Sequence, residues 1–407
     1  MGLIENIKSF SEKEKLGTEK NGLLQSFLAK GFPTIKEEEW KYTSLKKIVA
    51  NDFSVEGNGT TISENDIEKY TLGFEHKIIF LAGVLISKPN IEGVSISDFS
   101  DFETKNNDAI SGLNSALAKK GFTIKVESNT IVESPIEILF FSNTKNDNFV
   151  QHRNKIVVGD NAQIKFVERI QNLSDAKCFV NHFTQISIGE NANIEYNKIQ
   201  DNSKNSILID NMNIYQLQDA NAIVNTLIFG GAFTRNTLNF EQNGSNCDSN
   251  MNGISILDNN QFADNHTFVD HKQPYCRSNE MYKGVYLGNS KGVFNGKIMV
   301  RPDAQKIDAF QSNNNLLLSE NATIDSKPQL EIYADDVKCS HGCTIGQLDD
   351  NALFYMRSRG IRKKEAGAVL TYAFASEAVN NMSIPEVKKM AQKLIAKKLN
   401  VDLDFNL

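Results

Sequence analysis

The stretch Val158-Gly-Asp-Asn-Ala-Gln-Ile164 recurs as Ile188-Gly-Glu-Asn-Ala-Asn-Ile194, about 30 residues further along the chain. Looser copies occur at Leu217-Gln-Asp-Ala-Asn-Ala-Ile223 and at Leu318-Ser-Glu-Asn-Ala-Thr-Ile324. A fixed period of this size is typical of stacked supersecondary units, and it has room for two or three short strands with their turns. Asn tolerates the left-handed backbone conformation that tight turns need. The repeat therefore predicts a parallel β-helix or a related β-solenoid.

The same pattern of short strands and turns continues on both sides of the repeat, from about Phe122 to Val337. Short β-prone runs alternate there with turns rich in Asn, Asp and Gly. We therefore place the β-solenoid core at residues 122–337. A β-sandwich would also give short strands separated by turns, and it is the main structural alternative. Within the core, the consecutive amides Asn313–Asn315 could stack on neighbouring coils as an amide ladder.

Helical patterns flank this core on both sides. Residues 1–121 form a helical and mixed N-terminal region, in which the apolar, β-prone run Lys77–Ser87 is predicted to be one buried strand. Trp40, the single tryptophan, is expected to be a packing anchor. Residues 338–407 form a helical C-terminal domain. The fold class is therefore mainly β, with a solenoid core between two helical regions.

Capping signals place the C-terminal helices. Asp349 is expected to cap the first of them, and Gly360 to end it in the left-handed conformation. Lys363–Val379 follows as a helix that is apolar on several sides, so we expect it to be covered on more than one side. Ser383-Ile-Pro-Glu386 has the spacing of a capping box and predicts the start of a third helix.

Composition limits the classes of function and partner that the 407-residue chain can have. Its net charge of −6 gives no sign of the clustered positive face that nucleic-acid binding requires. Five cysteines, spread thinly, argue against a disulfide framework and fit a reducing compartment. The N-terminal residues lack an apolar segment of signal-peptide length, and the apolar run Ile78–Ile86 is too short to span a bilayer. We therefore expect a cytoplasmic protein without nucleic-acid or membrane partners.

Cys339, His341 and Cys343 bring two thiols and an imidazole together within a few residues. Thiolate and imidazole are ligands that soft or borderline metals prefer, and they are typical of iron–sulfur chemistry. In an extended strand Cys339 and His341 point to the same face. No second ligand pair follows in the sequence, so the spacing does not predict a closed zinc site. Purely structural roles for this pair stay open, and Cys343 is either a third thiol of the site or an inert buried residue.

A second group of metal-binding residue types consists of His266, His271 and Cys276. Their spacing of five residues puts neighbours on opposite faces of a strand and out of line on a helix. We therefore expect structural roles in the corners of coils rather than a common metal site.

Two patterns that could indicate an enzyme have the wrong spacing. Gly292-Val-Phe-Asn-Gly-Lys-Ile298 has three residues between its glycines where a P-loop has four, and Ile298 stands where a Ser or Thr would ligate Mg²⁺. The carboxylates Asp335 and Asp336 alternate faces in a strand, so they cannot both flank one glycosidic bond. We therefore predict a protein that is not an enzyme. A carbohydrate-active β-helix enzyme and a self-associating structural protein are the alternatives.

Motifs on both sides of Cys339 and His341 carry a resemblance to a known family. The motifs are Gly292-Val-Phe-Asn-Gly296, Asp303-Ala-Gln305, Gln311-Ser-Asn-Asn-Asn-Leu-Leu-Leu-Ser319, Lys327-Pro-Gln-Leu-Glu-Ile-Tyr-Ala-Asp-Asp-Val337, Gly346-Gln-Leu-Asp349, Leu353-Phe-Tyr355 and Arg357-Ser-Arg-Gly-Ile361. In this order and spacing they resemble the SufB/SufD family of iron–sulfur cluster assembly proteins. The resemblance is dense from Arg235 to Phe374 and extends to the N-terminus through Glu39-Trp-Lys-Tyr-Thr43.

The resemblance implies a right-handed parallel β-helix that serves as a non-enzymatic scaffold in iron–sulfur cluster formation and iron acquisition. It implies two partners, the related protein SufB and the ABC-type ATPase SufC, and it allows a homodimer of the isolated chain. ATP hydrolysis would belong to SufC. No cofactor is expected to stay bound to the isolated chain, and an iron–sulfur cluster would be held transiently in the complex.

The resemblance also implies roles for particular residues. The Cys-x-His of the family lies where two family members meet, which makes Cys339 and His341 candidate ligands of a nascent cluster formed with SufB. SufC is expected to dock on the C-terminal helices. The residues implied in SufC docking are Leu353, Phe354, Arg357, Arg359, Gly360, Ile361, Ala366, Leu370 and Phe374.

Overall fold

The computed structural model describes residues 2–14, 16–55, 61–98, 108–380 and 382–400. Residues 401–407 of the predicted C-terminal domain, and residues 1, 15, 56–60 and 99–107 of the predicted N-terminal region, lie outside the described residues. The helices are α1 (Leu3–Glu14), α2 (Thr18–Lys30), α3 (Lys46–Val49), α4 (Glu64–Tyr70), α5 (Ala109–Leu117), α6 (Asp350–Ser358), α7 (Lys363–Asn380) and α8 (Pro385–Leu399), with a 3₁₀ turn at Glu38–Trp40. The strands are β1 (His76–Leu81), β2 (Val84–Ser87), β3 (Val94–Asp98), β4 (Phe122–Val126), β5 (Ile136–Ser142), β6 (Asn148–Val158), β7 (Gln163–Asn172), β8 (Cys178–Ile188), β9 (Asn193–Gln200), β10 (Ser206–Gln216), β11 (Asn221–Ile228), β12 (Phe233–Gln242), β13 (Asp248–Leu257), β14 (Phe262–His271), β15 (Arg277–Tyr286), β16 (Lys291–Val300), β17 (Ile307–Leu317), β18 (Thr323–Ile332) and β19 (Val337–Gly346).

The strands form two long parallel sheets that face each other. One sheet has the order β19-β17-β15-β13-β11-β9-β7-β5-β1-β2, and the other has the order β18-β16-β14-β12-β10-β8-β6-β4-β3. From β4 onward, consecutive strands belong to different sheets, so the chain winds round an axis and adds one strand to each sheet per coil. Asn148 pairs with Cys178, and Cys178 pairs with Ser206, so the coils stack in register. The mainly β, parallel solenoid fold is confirmed; the right-handed sense of its winding stays a prediction.

The Asn residues of the sequence repeat occupy the turns, as predicted. Asn161, Asn191 and Asp219 have φ angles of +57°, +55° and +59°. Their side chains also connect the coils, because Asn191 Nδ2 donates to Asn161 Oδ1 over 2.9 Å and Asn161 Nδ2 donates to Asn129 Oδ1 over 3.0 Å. The repeat thus supplies both the turn conformation and a hydrogen bond between neighbouring coils.

An amide ladder exists inside the solenoid, but not at Asn313–Asn315. Asn225 Nδ2 donates to Asn197 Oδ1 over 2.7 Å, and Asn252 Nδ2 donates to Asn225 Oδ1 over 2.9 Å. Asn315 instead donates to Asn313 of its own strand, over 2.7 Å. The prediction of an amide ladder at Asn313–Asn315 was wrong, because these side chains bond to the neighbouring coils through other groups: Asn313 Nδ2 donates to the backbone oxygen of Tyr282 over 3.4 Å, and Asn314 Oδ1 accepts from Thr344 Oγ1 over 2.8 Å.

The two helical regions cover different sheets. In the N-terminal region, Leu24, Phe27 and Leu113 belong to an apolar cluster with Phe149 and Phe179 of the β6–β8 sheet. The C-terminal helices cover the other sheet, and the residues of that second cluster include Ile254, Ile256, Val285, Ala375, Val379, Val387 and Ile395. The solenoid is therefore a middle layer between two helical layers.

Three local predictions need correction. Lys77–Ser87 is two antiparallel strands, β1 and β2, joined by Ala82 and Gly83, whose φ angles are +48° and +79°. The parallel strands continue to Gly346, beyond residue 337 where we ended the core, because β19 adds to β17 in register. Ser383 does not cap α8: its hydroxyl donates to Glu195 of β9, and Ile384 stands at the helix start without a side-chain cap.

Candidate functional site

Strand β19 places the thiols and the imidazole on one face, as the spacing predicted. Cys339, His341 and Cys343 pair in register with Ala309, Gln311 and Asn313 of β17. The β17 residues are buried and face the interior of the solenoid. The three β19 side chains therefore continue interior columns of the last full coil, at the end where the stack of strands stops.

The open end of the solenoid is defined here by β18, β19 and the turn between them. Within the described chain no further strand pairs with the outer edges of β18 and β19, so their backbone donors and acceptors are free along these edges. Apolar side chains are exposed beside them, with exposed fractions of 61% for Tyr333 and 49% for Ile345. A strand end of this kind is a surface for adding another strand.

The three candidate ligands differ in their surroundings. Cys339 is half-buried, and burial, assisted by the nearby Asp308 carboxylate, raises the pKa of its thiol. His341 and Cys343 are exposed. The Cys343 thiol donates to Ser326 Oγ on β18 over 3.2 Å, which confirms that this face of β19 looks across the interior. Cys343 is thus exposed and not a buried residue, contrary to one of the two alternatives stated for it.

A buried carboxyl lies two coils below His341. Glu280 of β15 pairs with Gln311 of β17, and Gln311 Nε2 donates to Glu280 Oε2 over 3.1 Å. Thr267 Oγ1 donates to the same oxygen over 2.6 Å. Burial raises the pKa of Glu280 to about 7, because desolvation outweighs these two hydrogen bonds. The interior beneath the open end is therefore polar, and the sequence analysis did not single out this pair.

The described side chains do not form a complete metal centre. Across the described ranges, no group of three or more His, Cys, Asp or Glu side chains is arranged to hold a metal ion. All five cysteines are free. Cys339 and His341 can supply one thiolate and one imidazole to a metal or cluster.

The C-terminal helices carry the residues implied in partner docking. Asp349 caps α6 by accepting from the backbone nitrogen of Asn351 over 2.8 Å, and Gly360 follows with a φ of +89°, as predicted. Phe354 of α6 is 73% exposed. Of the other residues in the set, Arg357, Arg359 and Gly360 are exposed, Leu353, Ile361, Leu370 and Phe374 are half-buried, and Ala366 is buried.

Helix α7 is attached to the solenoid by charge as well as by apolar contact. Lys283 of β15 pairs with Glu377, and its ammonium group lies 4.3 Å from the centroid of the Phe374 ring. Helix α7 also contacts α8 and α6, so it is covered on more than one side, as expected, while Val369 on its remaining side is 36% exposed. The uncovered side of α7 and the exposed ring of Phe354 are available to a partner.

His266 and His271 of the second group lie in different surroundings, and His266 stands in the middle of β14 and not in the corner of a coil. His266 Nδ1 lies 3.2 Å from Glu39 Oε2, and its Nε2 lies 3.0 Å from Asp264 Oδ1. His271 faces elsewhere and contacts Ser278 Oγ over 3.0 Å. Trp40 is buried in the N-terminal apolar cluster, which confirms its role as a packing anchor.

Further charged side chains inside the solenoid were missed from the sequence. His182 Nε2 lies 3.2 Å from Glu168 Oε2, whose oxygen also accepts from Tyr196 over 2.7 Å. Lys198 Nζ pairs with Asp210 over 3.1 Å, one strand further on. The available signal was a charged residue inside a β-prone run, as at Glu168, Lys198 and Asp210, since a strand that is buried on both faces has to pair its charges.

Comparison with known proteins agrees with this architecture. A family model described as the SufBD core domain of the SUF system for FeS cluster assembly matches residues 140–374, and one for the SufBD protein N-terminal region matches residues 6–75. The core-domain match covers more than half of the chain, and the chain therefore belongs to the SufBD family of iron–sulfur cluster assembly proteins.

Within that family the similarity extends to proteins named SufD. The chain is 29% identical to the iron–sulfur cluster assembly protein SufD of Escherichia coli, over 92% of this chain and 91% of that protein. It is 26% identical to SufD of Bacillus subtilis, over 71% of this chain and 67% of that protein. A SufBD family protein of Synechocystis is 27% identical, over 89% of this chain and 87% of its own length.

Proposed function

We propose that the chain is a non-catalytic scaffold subunit on which an iron–sulfur cluster is assembled together with a SufB-type partner and a SufC-type ATPase. The observation that carries the proposal is the place of Cys339 and His341 at the open end of a SufBD-family solenoid. The cluster is cargo in this scheme, so no cofactor stays bound to the isolated chain.

The open end is the proposed contact with the SufB-type partner. The free edges of β18 and β19 can pair with strands of a second solenoid, and Tyr333 and Ile345 would then be buried. A second copy of this chain could use the same edges, which makes a homodimer the alternative occupant. In either pairing the partner's ligands would complete the site that Cys339 and His341 begin.

The chemistry of the two residues suits transient holding. Imidazole ligation raises the potential of an iron–sulfur cluster relative to thiolate alone. The half-buried Cys339 thiol resists ionisation, so loss of its proton would accompany iron binding. Such a site can form a cluster without retaining it, which is what a transfer scaffold requires.

The proposed SufC-type contact lies on α6 and the uncovered side of α7. Phe354 is exposed there beside Arg357 and Arg359, which gives an apolar anchor with a charged border. The described residues include no helix long and apolar enough to cross a membrane. With its free cysteines, the chain fits the proposed place in the reducing cytoplasm.

A carbohydrate-active enzyme is not favoured by the site. Asp335 and Asp336 are exposed in the turn before β19, and Asp336 pairs with Lys306. They do not form the convergent pair that glycosidic cleavage needs.

The test combines co-purification with a ligand substitution. The tagged chain should co-purify with SufB-type and SufC-type partners, and the complex should acquire iron and sulfide on reconstitution. His341→Ala should leave the melting temperature and subunit ratio unchanged and lower the iron and sulfide content by about tenfold or more. Full cluster content in a stable His341→Ala complex would remove this residue from the proposed site.

A further inference from the structure

Glu280, Gln311 and His341 form one column along the solenoid axis. They pair in register across β15, β17 and β19. Glu280 and Gln311 are completely buried, whereas His341 is exposed at the open end. The column therefore leads from the candidate ligand into the polar interior.

Contacts on opposite sides fix the Gln311 carboxamide. Its nitrogen faces Glu280 Oε2, which also accepts the Thr267 proton, so both donors point at this one oxygen. Across the interior, Gly296 of β16 leaves the space that the amide occupies, because a Cβ at this position would lie 2.2 Å from Gln311 Nε2. The amide is held in a slot built from both sheets.

In this orientation the carboxamide oxygen of Gln311 is a hydrogen-bond acceptor without a donor in the described chain. None of the residues that the structure describes donates a hydrogen bond to this buried Oε1. Buried acceptors are nearly always paired, so an unpaired one calls for a specific donor. The next side chain of the column is His341, whose ring carries an N–H.

We propose that Gln311 is a positioning residue for His341: its carboxamide oxygen accepts the ring N–H of His341 when a partner covers the open end, and Glu280 holds the amide in place. A metal-binding histidine usually donates its second ring nitrogen to an oxygen acceptor. That hydrogen bond selects the tautomer and leaves the other ring nitrogen free to bind iron. The inference rests on the proposed role of His341 as a ligand.

Three variants separate positioning from simple packing. E280M/Q311M removes the acceptor together with the carboxyl, so the carboxyl is not left facing an apolar side chain. E280Q/Q311E exchanges amide and carboxyl, which preserves the internal hydrogen bond and an oxygen next to His341. G296A changes neither partner and pushes the Gln311 amide out of its slot.

The readouts are the ring-nitrogen spectrum of His341 and iron retention, both measured on the complex with its partner chains. Only this chain is ¹⁵N-labelled at histidine before it is assembled with its unlabelled partners, and H341A identifies the His341 signals among its six histidines. Retention is measured by titration with Fe²⁺ and sulfide. We expect a single tautomer in the parent, and mixed tautomers with about 10- to 100-fold weaker iron retention in E280M/Q311M. E280Q/Q311E should restore both.

Failure of this inference differs from failure of the proposed function. A single His341 tautomer and full iron retention in a folded E280M/Q311M complex would overturn the positioning role, even while H341A abolishes the cluster. If H341A keeps the cluster, the ligand role fails, and the inference that rests on it falls as well. Should E280M/Q311M not assemble, G296A decides: mixed tautomers support positioning, and an unchanged spectrum contradicts it.

Discussion

The guanidinium group of Arg235 lies over the Trp40 ring, 3.8 Å from the ring centroid. Arg235 also pairs with the buried carboxylate of Asp264 and donates to the backbone oxygen of Glu39 over 2.9 Å. Although burial opposes it, Arg235 and His266 hold the pKa of Asp264 at about 2. One arginine of β12 therefore connects the N-terminal 3₁₀ turn to the solenoid.

Replacement of Arg235 by Ala should lower the free energy of unfolding by about 3–5 kcal/mol, because the buried Asp264 carboxylate would keep His266 but lose its guanidinium partner. Urea denaturation measures this loss. Arg362→Ala is the matched control, since Arg362 is exposed and pairs only with Glu365 at the surface. Its effect should stay within about 0.5 kcal/mol. Equal losses in the two variants would contradict the role given to Arg235.

Glu280 predicts a pH dependence of stability. Its pKa rises from an ordinary value of 4.5 to about 7 on folding, so the folded chain binds more protons than the unfolded chain between these values. The contribution of Glu280 to stability therefore falls as pH rises from about 4.5 to about 7 and stays low above that range. Between pH 4 and pH 8, the free energy of unfolding of Glu280→Gln should rise by up to about 3 kcal/mol relative to that of the parent. A difference between the two proteins that is constant with pH would refute this assignment.

Cysteine exposure predicts an order of alkylation. Cys343 is exposed and should react first, and the half-buried Cys339, with its raised thiol pKa, should react more slowly. The three other cysteines are buried and should react only on unfolding. Binding of a partner at the open end should slow the alkylation of Cys339 and Cys343 by about tenfold or more, as followed by mass spectrometry. Unchanged rates at both residues in a formed complex would place the interface elsewhere.

The exposed rings of α6 predict the contact with the ATPase partner. F354A/Y355A should weaken binding of a SufC-type ATPase by about 2 kcal/mol or more, as measured by calorimetry, because buried aromatic anchors dominate interfaces. The melting temperature should hardly change, since both rings are exposed in the free chain. Val84→Ala on β2 removes an equally accessible apolar group outside α6 and should leave binding intact. Undiminished affinity in F354A/Y355A would exclude α6 as the docking site.

Periodicity made the solenoid predictable. The turns at Asn161 and Asn191 could be predicted because a positive φ angle depends mainly on the identity of the turn residue itself. The common face of Cys339 and His341 follows from strand alternation alone. Gly83 was also a usable signal, since a glycine inside a β-prone run often marks a turn or bulge, and it stands at the turn that divides Lys77–Ser87.

Features that depend on distant residues could not be predicted in this way. Ser383 donates to Glu195 of a strand far away in sequence, and this tertiary contact replaces the local capping box. The exposure of Cys339 and His341 depends on which coil is the last one, because an inward-facing side chain is covered wherever another coil follows. The slot for Gln311 needs Gly296 from the opposite sheet, so the column appears only after both sheets are stacked.

The unequal ends of the solenoid limit how far stacking can proceed. Strands β18 and β19 at the open end are 10 residues each, whereas β2 and β3, which finish the sheets at the other end, have 4 and 5 residues and run antiparallel to their neighbours. A head-to-tail array would have to pair these mismatched edges. Contact between two open ends instead pairs the long strand edges of both solenoids with each other, so no long unpaired edge is left for a third copy. The geometry favours a closed pair with two-fold or pseudo-two-fold symmetry over a fibre.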